Sequence, residues 1–218
     1  MSGADLFGGT LEPVRKEEPL GDGALLLRGF ALADEVALLA ALDAILTRAP
    51  WRHMVTPGGQ RMSVAMTNAG QLGWLSDRRG YRYEPNDPQT GQAWPAMPPT
   101  FQWLAAAAAT RAGFAGFAPD ACLVNRYEAG TRLSLHQDRD ECDFNQPIVS
   151  VSLGIPAVFL FGGLHRTDRP QRVPLVHGDV VVWGGPARLR YHGVLPVKSA
   201  HHPVLGDCRI NLTLRRAG

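Results

Sequence analysis

His136 and Asp138 stand two residues apart in Ser134-Leu135-His136-Gln137-Asp138, a segment that reads as extended chain. On a strand, side chains at i and i+2 share a face about 6.6 Å apart, so an imidazole and a carboxylate at this spacing can converge on one ion. Two ligands on one short edge need a third. The site type that accepts this pair is the set of two histidines and one carboxylate, which holds Fe(II) and leaves coordination positions open. A His-x-Asp also arises by chance on solvated strands and turns, so the pair gains meaning only from what surrounds it.

Five histidines follow the pair. His165 lies in a loop, His201 and His202 adjoin Pro203, and His177 sits in a His-Gly-Asp turn. His192 falls inside a strand-like run, Arg190 to Leu195, which offers the rigid support a ligand needs. That placement favours His192, although spacing alone leaves His177 open.

The last strand adds a second constraint. In Arg209-Ile-Asn-Leu-Thr-Leu-Arg215, Arg209, Asn211, Thr213 and Arg215 share one face. Two arginines on an inward polar face are costly unless an anion meets them. Their Cα atoms are about 20 Å apart at strand rise, and side chains leaning inward could close on a short dicarboxylate. Asn125 and Tyr127 are in phase on an earlier strand and could bond the same ligand. The plainer alternative is that one or both arginines pair with surface acids.

These residues need a scaffold. From Asp120 the chain reads as eight short strands: Cys122–Tyr127, Leu133–Gln137, Ile148–Leu153, Val158–Phe161, Gln171–Leu175, Val180–Trp183, Arg190–Leu195 and Arg209–Arg215. Gly, Pro, Asn or Asp separates nearly every pair, which points to a jelly-roll, or double-stranded β-helix. Upstream, Ala24–Arg28 reads as a strand. Asp34 is a candidate N-cap for a helix whose apolar residues, Val36 to Leu46, recur at helical spacing until Pro50. A second helix runs from Pro98-Pro99-Thr100 to about Ala112, stopped by Gly113. Both helices would buttress one sheet. Between them, Trp51–Val55 and Arg61–Thr67 read as a hairpin, and Gly70–Pro95 shows no regular period. So long an irregular stretch is usually a lid or binding loop. The expected whole is one mainly β domain over residues 1–218. It comprises a mobile arm (1–22), a lid region (50–97) and a jelly-roll core (120–216).

Composition excludes little. The formal charge is +2, from −2 before residue 121 and +4 after it, and 20 of the 22 basic residues are arginine. Arginine suits bidentate capture of carboxylate or phosphate, yet a GC-rich genome explains it as well. The start carries no apolar run resembling a secretion signal and no stretch approaches a membrane span. Cys122, Cys142 and Cys208 are too few and too odd for a disulfide framework. A cytoplasmic protein without a membrane partner is expected, a monomer being the simpler state.

Read together, Met54-Val-Thr-Pro-Gly-Gly59, Met62-Ser-Val-Ala-Met-Thr67, Asn125-Arg-Tyr127, Leu133-Ser-Leu-His-Gln-Asp138, His177-Gly-Asp-Val-Val-Val-Trp183, His192 and Asn211-Leu-Thr213 resemble the AlkB family of Fe(II)- and 2-oxoglutarate-dependent dioxygenases, specifically its bacterial DNA-repair members. The resemblance covers nearly the whole chain. It implies that His136, Asp138 and His192 bind iron, favouring His192 over His177. It implies that Asn125, Tyr127, Arg209 and Arg215 hold 2-oxoglutarate with Asn211 nearby. It makes the irregular region a nucleotide-recognition lid in which Thr56, Met66, Trp74 and Tyr81 frame the substrate, while Arg132, Ser134 and Arg166 take phosphates and Asp140 and Glu141 face the substrate pocket. The implied reaction consumes O2 and 2-oxoglutarate and demethylates bases such as 1-methyladenine and 3-methylcytosine in single- or double-stranded DNA, with RNA left open. Formaldehyde, succinate and CO2 are the products, and the base must be flipped or unpaired. Arg132 stands where the best-known bacterial members have lysine, and Cys142 and Phe144 occupy a variable loop. Two other readings stay open: a hydroxylase of the same mechanism acting on a protein or small molecule, and a metal-binding jelly-roll without turnover.

Overall fold

The computed structural model describes residues 16–218. Most of the arm expected over 1–22 therefore lies outside the described residues, and its end is no arm. Glu17–Gly21 is strand β1, antiparallel to β2 (Ala24–Leu27). Pro19 is tolerated because β1 is the edge of its sheet, where a missing N–H breaks no ladder.

All eight strands expected after residue 120 are present: β6 (Ala121–Tyr127), β7 (Leu133–His136), β8 (Ile148–Gly154), β9 (Ala157–Phe161), β10 (Gln171–Leu175), β11 (Val180–Trp183), β12 (His192–Val194) and β13 (Arg209–Arg215). They divide evenly between two antiparallel sheets. One has the order β10-β9-β12-β7. The other runs β1-β2-β11-β8-β13-β6-β3, extended at its far edge by β3 (Ala65–Gly70). The strand expected over Arg190–Leu195 is shorter, because Arg190 and Tyr191 are spent on a turn in which their backbone N–H groups donate to Ala187 O and Gly163 O.

Each face of the larger sheet has its own core. Outward, Val124, Val151, Val182, Ile210, Leu212 and Leu214 meet the helices α1 (Glu35–Arg48) and α2 (Pro99–Arg111). Helix α1 contributes Leu38, Leu42 and Ile45, one stripe at i, i+4 and i+7, each worth about 1.5–3 kcal/mol of burial. Asp34 occupies the N-cap position as expected, and its side chain makes no capping bond there. Helix α2 begins with Pro99, whose missing N–H costs nothing in a first turn, and lays Ala105, Ala108 and Ala109 against the sheet. Inward, Leu26, Met66, Leu123, Ile148, Phe159, Phe161 and Val181 fill the space between the sheets.

The stretch Gly70–Pro95 is more regular than its sequence suggests. It holds a hairpin, β4 (Gly73–Asp77) and β5 (Gly80–Glu84), turning at Arg78-Arg79. Trp94 supports it, donating from Nε1 to Glu84 O at 3.0 Å, and a Cβ on Gly73 would lie 2.4 Å from the Trp94 ring. The hairpin expected over Trp51–Thr67 survives only as isolated bridges, Arg52 to Met66 and Val55 to Arg61, because Ala65–Gly70 pairs with β6 instead. No described helix is long and apolar enough to cross a membrane.

Candidate metal centre and co-substrate pocket

Strand pairing builds the ligand cluster. His192 on β12 lies directly opposite His136 on β7, and their ring centroids are 4.3 Å apart. The pairing leaves no room for a side chain between His192 and Val194, since a Cβ on Gly193 would approach Leu133 O to 2.7 Å. Asp138 follows β7 and brings its carboxylate to 3.6 Å from His136 Nε2 and 3.7 Å from His192 Nε2. The three donor atoms lie within 4.8 Å of one another, the one such group among the described residues.

Both imidazoles are set in the tautomer a metal requires. Nδ1 of His136 meets Ser134 O at 2.9 Å, and Nδ1 of His192 meets Arg190 O at 3.0 Å. A carbonyl only accepts, so Nδ1 carries the proton and Nε2 presents a lone pair to the cluster. Burial, with His136 alongside, pushes His192 down to about 4, which keeps it neutral. Burial works the other way on Asp138, but Arg215 outweighs it and holds the carboxyl well below the usual range. Arg215 Nε and Nη2 both donate to Oδ2, at 2.9 and 2.7 Å. The donor set of two neutral imidazoles and one carboxylate suits Fe(II).

Beside the cluster, between the sheets, lies a pocket lined by Asn125, Tyr127, Arg209, Asn211, Trp183 and both histidines among others. Register places Arg209 opposite Tyr127 and Asn211 opposite Asn125, so the polar faces of β13 and β6 coincide as the alternation predicts. Arg209 is 2% exposed. Its Nη2 donates to Ser152 Oγ at 2.9 Å and its guanidinium lies 5.0 Å from the Tyr127 ring, yet Nε and Nη1 have no partner. Asn125 Oδ1 is likewise unpartnered. A buried cation with idle donors calls for an anion, and a carboxylate fits. Asn211 is already committed: Nδ2 donates to Ser150 Oγ and Val151 O, and Oδ1 accepts from Thr213. Arg215 does not share this pocket's lining. Its guanidinium is engaged with Asp138 and Glu141.

The rim carries the remaining expected residues. Trp74 and Tyr81, on the two strands of the hairpin, stack at 5.6 Å with 13° between planes, and Tyr81 is half exposed. Trp74 Nε1 donates to Asp140 Oδ2 at 2.8 Å. Asp140 and Glu141 part company. Asp140 is exposed, whereas Glu141 is buried and accepts from Tyr83 Oη at 2.7 Å and Arg188 Nη2 at 3.0 Å. Met66 is buried in the inter-sheet core, and Thr56 closes its turn by accepting from Gln60 N. Arg132 and Ser134 are exposed on or beside β7, and exposed Arg166 lies over the Tyr191 ring at 5.9 Å.

His177 is remote from the cluster. Its Nδ1 accepts from Gly154 N, its Nε2 sits 3.3 Å from Glu35 Oε1, and it stacks on His202. Sequence reasoning missed Tyr83 and Arg188. Tyr83 sits at i+2 from Tyr81 and would have been found had the hairpin been recognised. Arg188, in a loop, carried no signal.

A family model described as the 2OG-Fe(II) oxygenase superfamily matches residues 23–215. The chain is 57% identical over 202 residues to the alpha-ketoglutarate-dependent dioxygenase AlkB of Escherichia coli (strain K12), covering 93% of this chain and 94% of that one. It is 48% identical over 192 residues to the AlkB homolog of Caulobacter vibrioides (strain NA1000 / CB15N), covering 85% and 84%. Among solved structures it is similar to that titled "The structure of OsALKBH1", with a TM-score of 0.81 and 28% identity over 92% of this chain and 100% of that one.

Proposed function

Because the chain belongs to the 2OG-Fe(II) oxygenase superfamily and, within it, to the AlkB family, we propose that it removes N-alkyl groups from nucleic-acid bases oxidatively, with 1-methyladenine and 3-methylcytosine in DNA as its substrates. The observation that carries this reading is the His136–Asp138–His192 cluster opening onto a pocket in which Arg209 and Asn125 hold unpartnered polar atoms. When bound, Fe(II) with 2-oxoglutarate and O2 supplies the oxidising power to hydroxylate a methyl carbon, 2-oxoglutarate leaving as succinate and CO2.

The chain's own residues do the rest. His136 and His192 offer Nε2 lone pairs fixed by their backbone bonds, and Asp138 adds the single negative charge. Arg209, with the Tyr127 hydroxyl, takes the distal carboxylate of the co-substrate in a low-dielectric pocket, where a charge-assisted pair is strong. Burial raises the Tyr127 phenol, so it remains a neutral O–H donor. The β4–β5 hairpin acts as the recognition lid over the region 50–97. Trp74 and Tyr81 separate to admit a flipped base, Thr56 borders the entrance, and Met66 frames the substrate from the inter-sheet core. Asp140, exposed at the rim, faces the positive charge that ring methylation creates. Arg132, Ser134 and Arg166 contact the phosphates on either side. The hydroxymethyl group on the base nitrogen then breaks down to formaldehyde and the restored base.

Formaldehyde release from a single-stranded oligonucleotide carrying 1-methyladenine, with Fe(II), ascorbate and 2-oxoglutarate, tests this. Stoichiometric formaldehyde and succinate are expected. Turnover of 2-oxoglutarate that is indifferent to any methylated oligonucleotide, DNA or RNA, would refute the nucleic-acid assignment.

A further inference from the structure

The β4–β5 hairpin is fastened to the two residues that follow Arg139, close behind the metal-binding carboxylate. At the rim Trp74 Nε1 bonds Asp140, and beneath it Tyr83 Oη donates to Glu141 Oε1 at 2.7 Å. The inner contact leads to the metal cluster. Glu141 is 6% exposed, accepts Arg188 Nη2 at 3.0 Å and lies 3.4 Å from Arg215 Nε. Arg188 Nη1 donates to the Asp138 carbonyl at 2.9 Å and its Nε to Gln146 O at 3.0 Å. Arg215 grips the Asp138 carboxylate. Two guanidiniums therefore hold Asp138, one at its carboxylate and one at its backbone, and both close on Glu141. Two cations and two carboxylates balance, and the hydroxyl completing Glu141's bonds comes from the hairpin.

We propose that Tyr83, Glu141 and Arg188 are positioning residues for the metal ligand Asp138, acting through Arg215, and that they tie the ligand's geometry to the seating of the hairpin. The proposal rests on the reading of His136, Asp138 and His192 as the metal centre. Buried polar networks behave as units, because removing one partner leaves the others unsatisfied in a medium that cannot replace it. Burial keeps the Tyr83 phenol protonated and hence a donor. Its hydroxyl also accepts from Arg215 Nη1 at 3.4 Å, so the hairpin touches both Glu141 and the guanidinium that holds the Asp138 carboxylate. By linkage, whatever seats the hairpin tightens the metal, and the metal in turn seats the hairpin.

The test is a Mn(II) titration of the metal-free full chain, followed by electron paramagnetic resonance, for wild type, Tyr83→Phe, Glu141→Gln and the double variant. Tyr83→Phe should weaken Mn(II) binding by about three- to tenfold, below the 10–100-fold seen for groups bonded directly to a ligand. The double variant should lose no more than Glu141→Gln alone, the mark of residues acting through one contact. A saturating methylated oligonucleotide should tighten Mn(II) in wild type and lose that effect in Tyr83→Phe. Unchanged Mn(II) affinity in Tyr83→Phe, or losses that multiply in the double variant, would overturn the relay. An oligonucleotide effect equal in both proteins would overturn its link to the hairpin. If Glu141→Gln does not fold, the Tyr83→Phe affinity decides alone. Wild type without Mn(II) binding would refute the metal centre and the relay together, whereas normal wild-type binding with an indifferent Tyr83→Phe refutes the relay only.

Discussion

Arg209→Met separates what the pocket does for stability from what it does for binding. Arg209 is 2% exposed, and two of its three nitrogens have no partner. Methionine has similar length and no charge. Replacing buried ionic groups by apolar ones is often neutral or stabilising by about 1–4 kcal/mol. Against this stands one lost bond to Ser152 Oγ, worth about 1 kcal/mol. The metal-free, ligand-free variant should therefore lie between about 1 kcal/mol below and roughly 3 kcal/mol above wild type, a Tm gain of as much as about 10 °C for a chain of this size. Binding should move oppositely. Two charge-assisted bonds to a carboxylate contribute about 1.5–3 kcal/mol each, so 2-oxoglutarate affinity should fall by about 10²- to 10⁴-fold. Thermal melts with Mn(II), with and without 2-oxoglutarate, read both effects. Wild type at a hundred times its Kd should gain about 2.7 kcal/mol from the ligand, and the variant should gain almost nothing at that concentration. A variant that melts several degrees below wild type yet is stabilised normally by 2-oxoglutarate would show that Arg209 is a structural ion and not an anion receptor.

Asp138→Ala removes the anionic ligand and strips Arg215 of its principal buried partner, so metal binding should be lost and urea stability should drop by about 3–5 kcal/mol; retained Fe(II)-dependent turnover would end the ligand assignment. His177→Ala leaves the Gly154 N–H without its acceptor and should cost about 1–3 kcal/mol in urea titrations while Mn(II) affinity stays at the wild-type value; weakened metal binding would count against its remote, structural role. The folded pKa of His192, pushed to about 4 by burial, lies below the unfolded value near 6.5. Between those values the unfolded chain binds the extra proton, so metal-free stability should fall as pH drops from about 6.5 to 4, by up to roughly 3 kcal/mol. His192→Gln should flatten that slope, and an unaltered slope would refute the attribution. Asp140→Ala should lower kcat/KM more for a cationic lesion than for neutral 3-methylthymine, by about tenfold in the ratio if a rim carboxylate contributes near 1.4 kcal/mol at partial exposure. Equal losses on both would mean that Asp140 only anchors Trp74.

Much of the catalytic frame was legible along the chain because it is periodic. Alternation along Arg209–Arg215 put Arg209 and Asn211 on one inward face, and the structure sets that face against Asn125 and Tyr127 in the register the pleat requires. The eight strands and both helices follow from the same local signals, since period and punctuation are properties of neighbouring residues. Failures came where the pattern was too short to show a period. Glu17–Gly21 has one proline and two acids in five residues, and Gly73–Glu84 alternates over five residues at a time between glycines.

What the sequence alone determined, then, is which side chains share a strand face, and hence that His136 and Asp138 could meet an ion and Arg209 an anion. Only the tertiary structure decided which distant groups complete those faces. His192 meets His136 across a strand pair, Arg215 is drawn to Asp138 and not into the Arg209 pocket, and Glu141, adjacent to exposed Asp140, is buried under Arg188 and Tyr83. These partners lie tens of residues apart in the chain. Their choice follows from sheet order and from the need to satisfy every buried charge, conditions that hold for the folded whole and leave no periodic trace in the sequence.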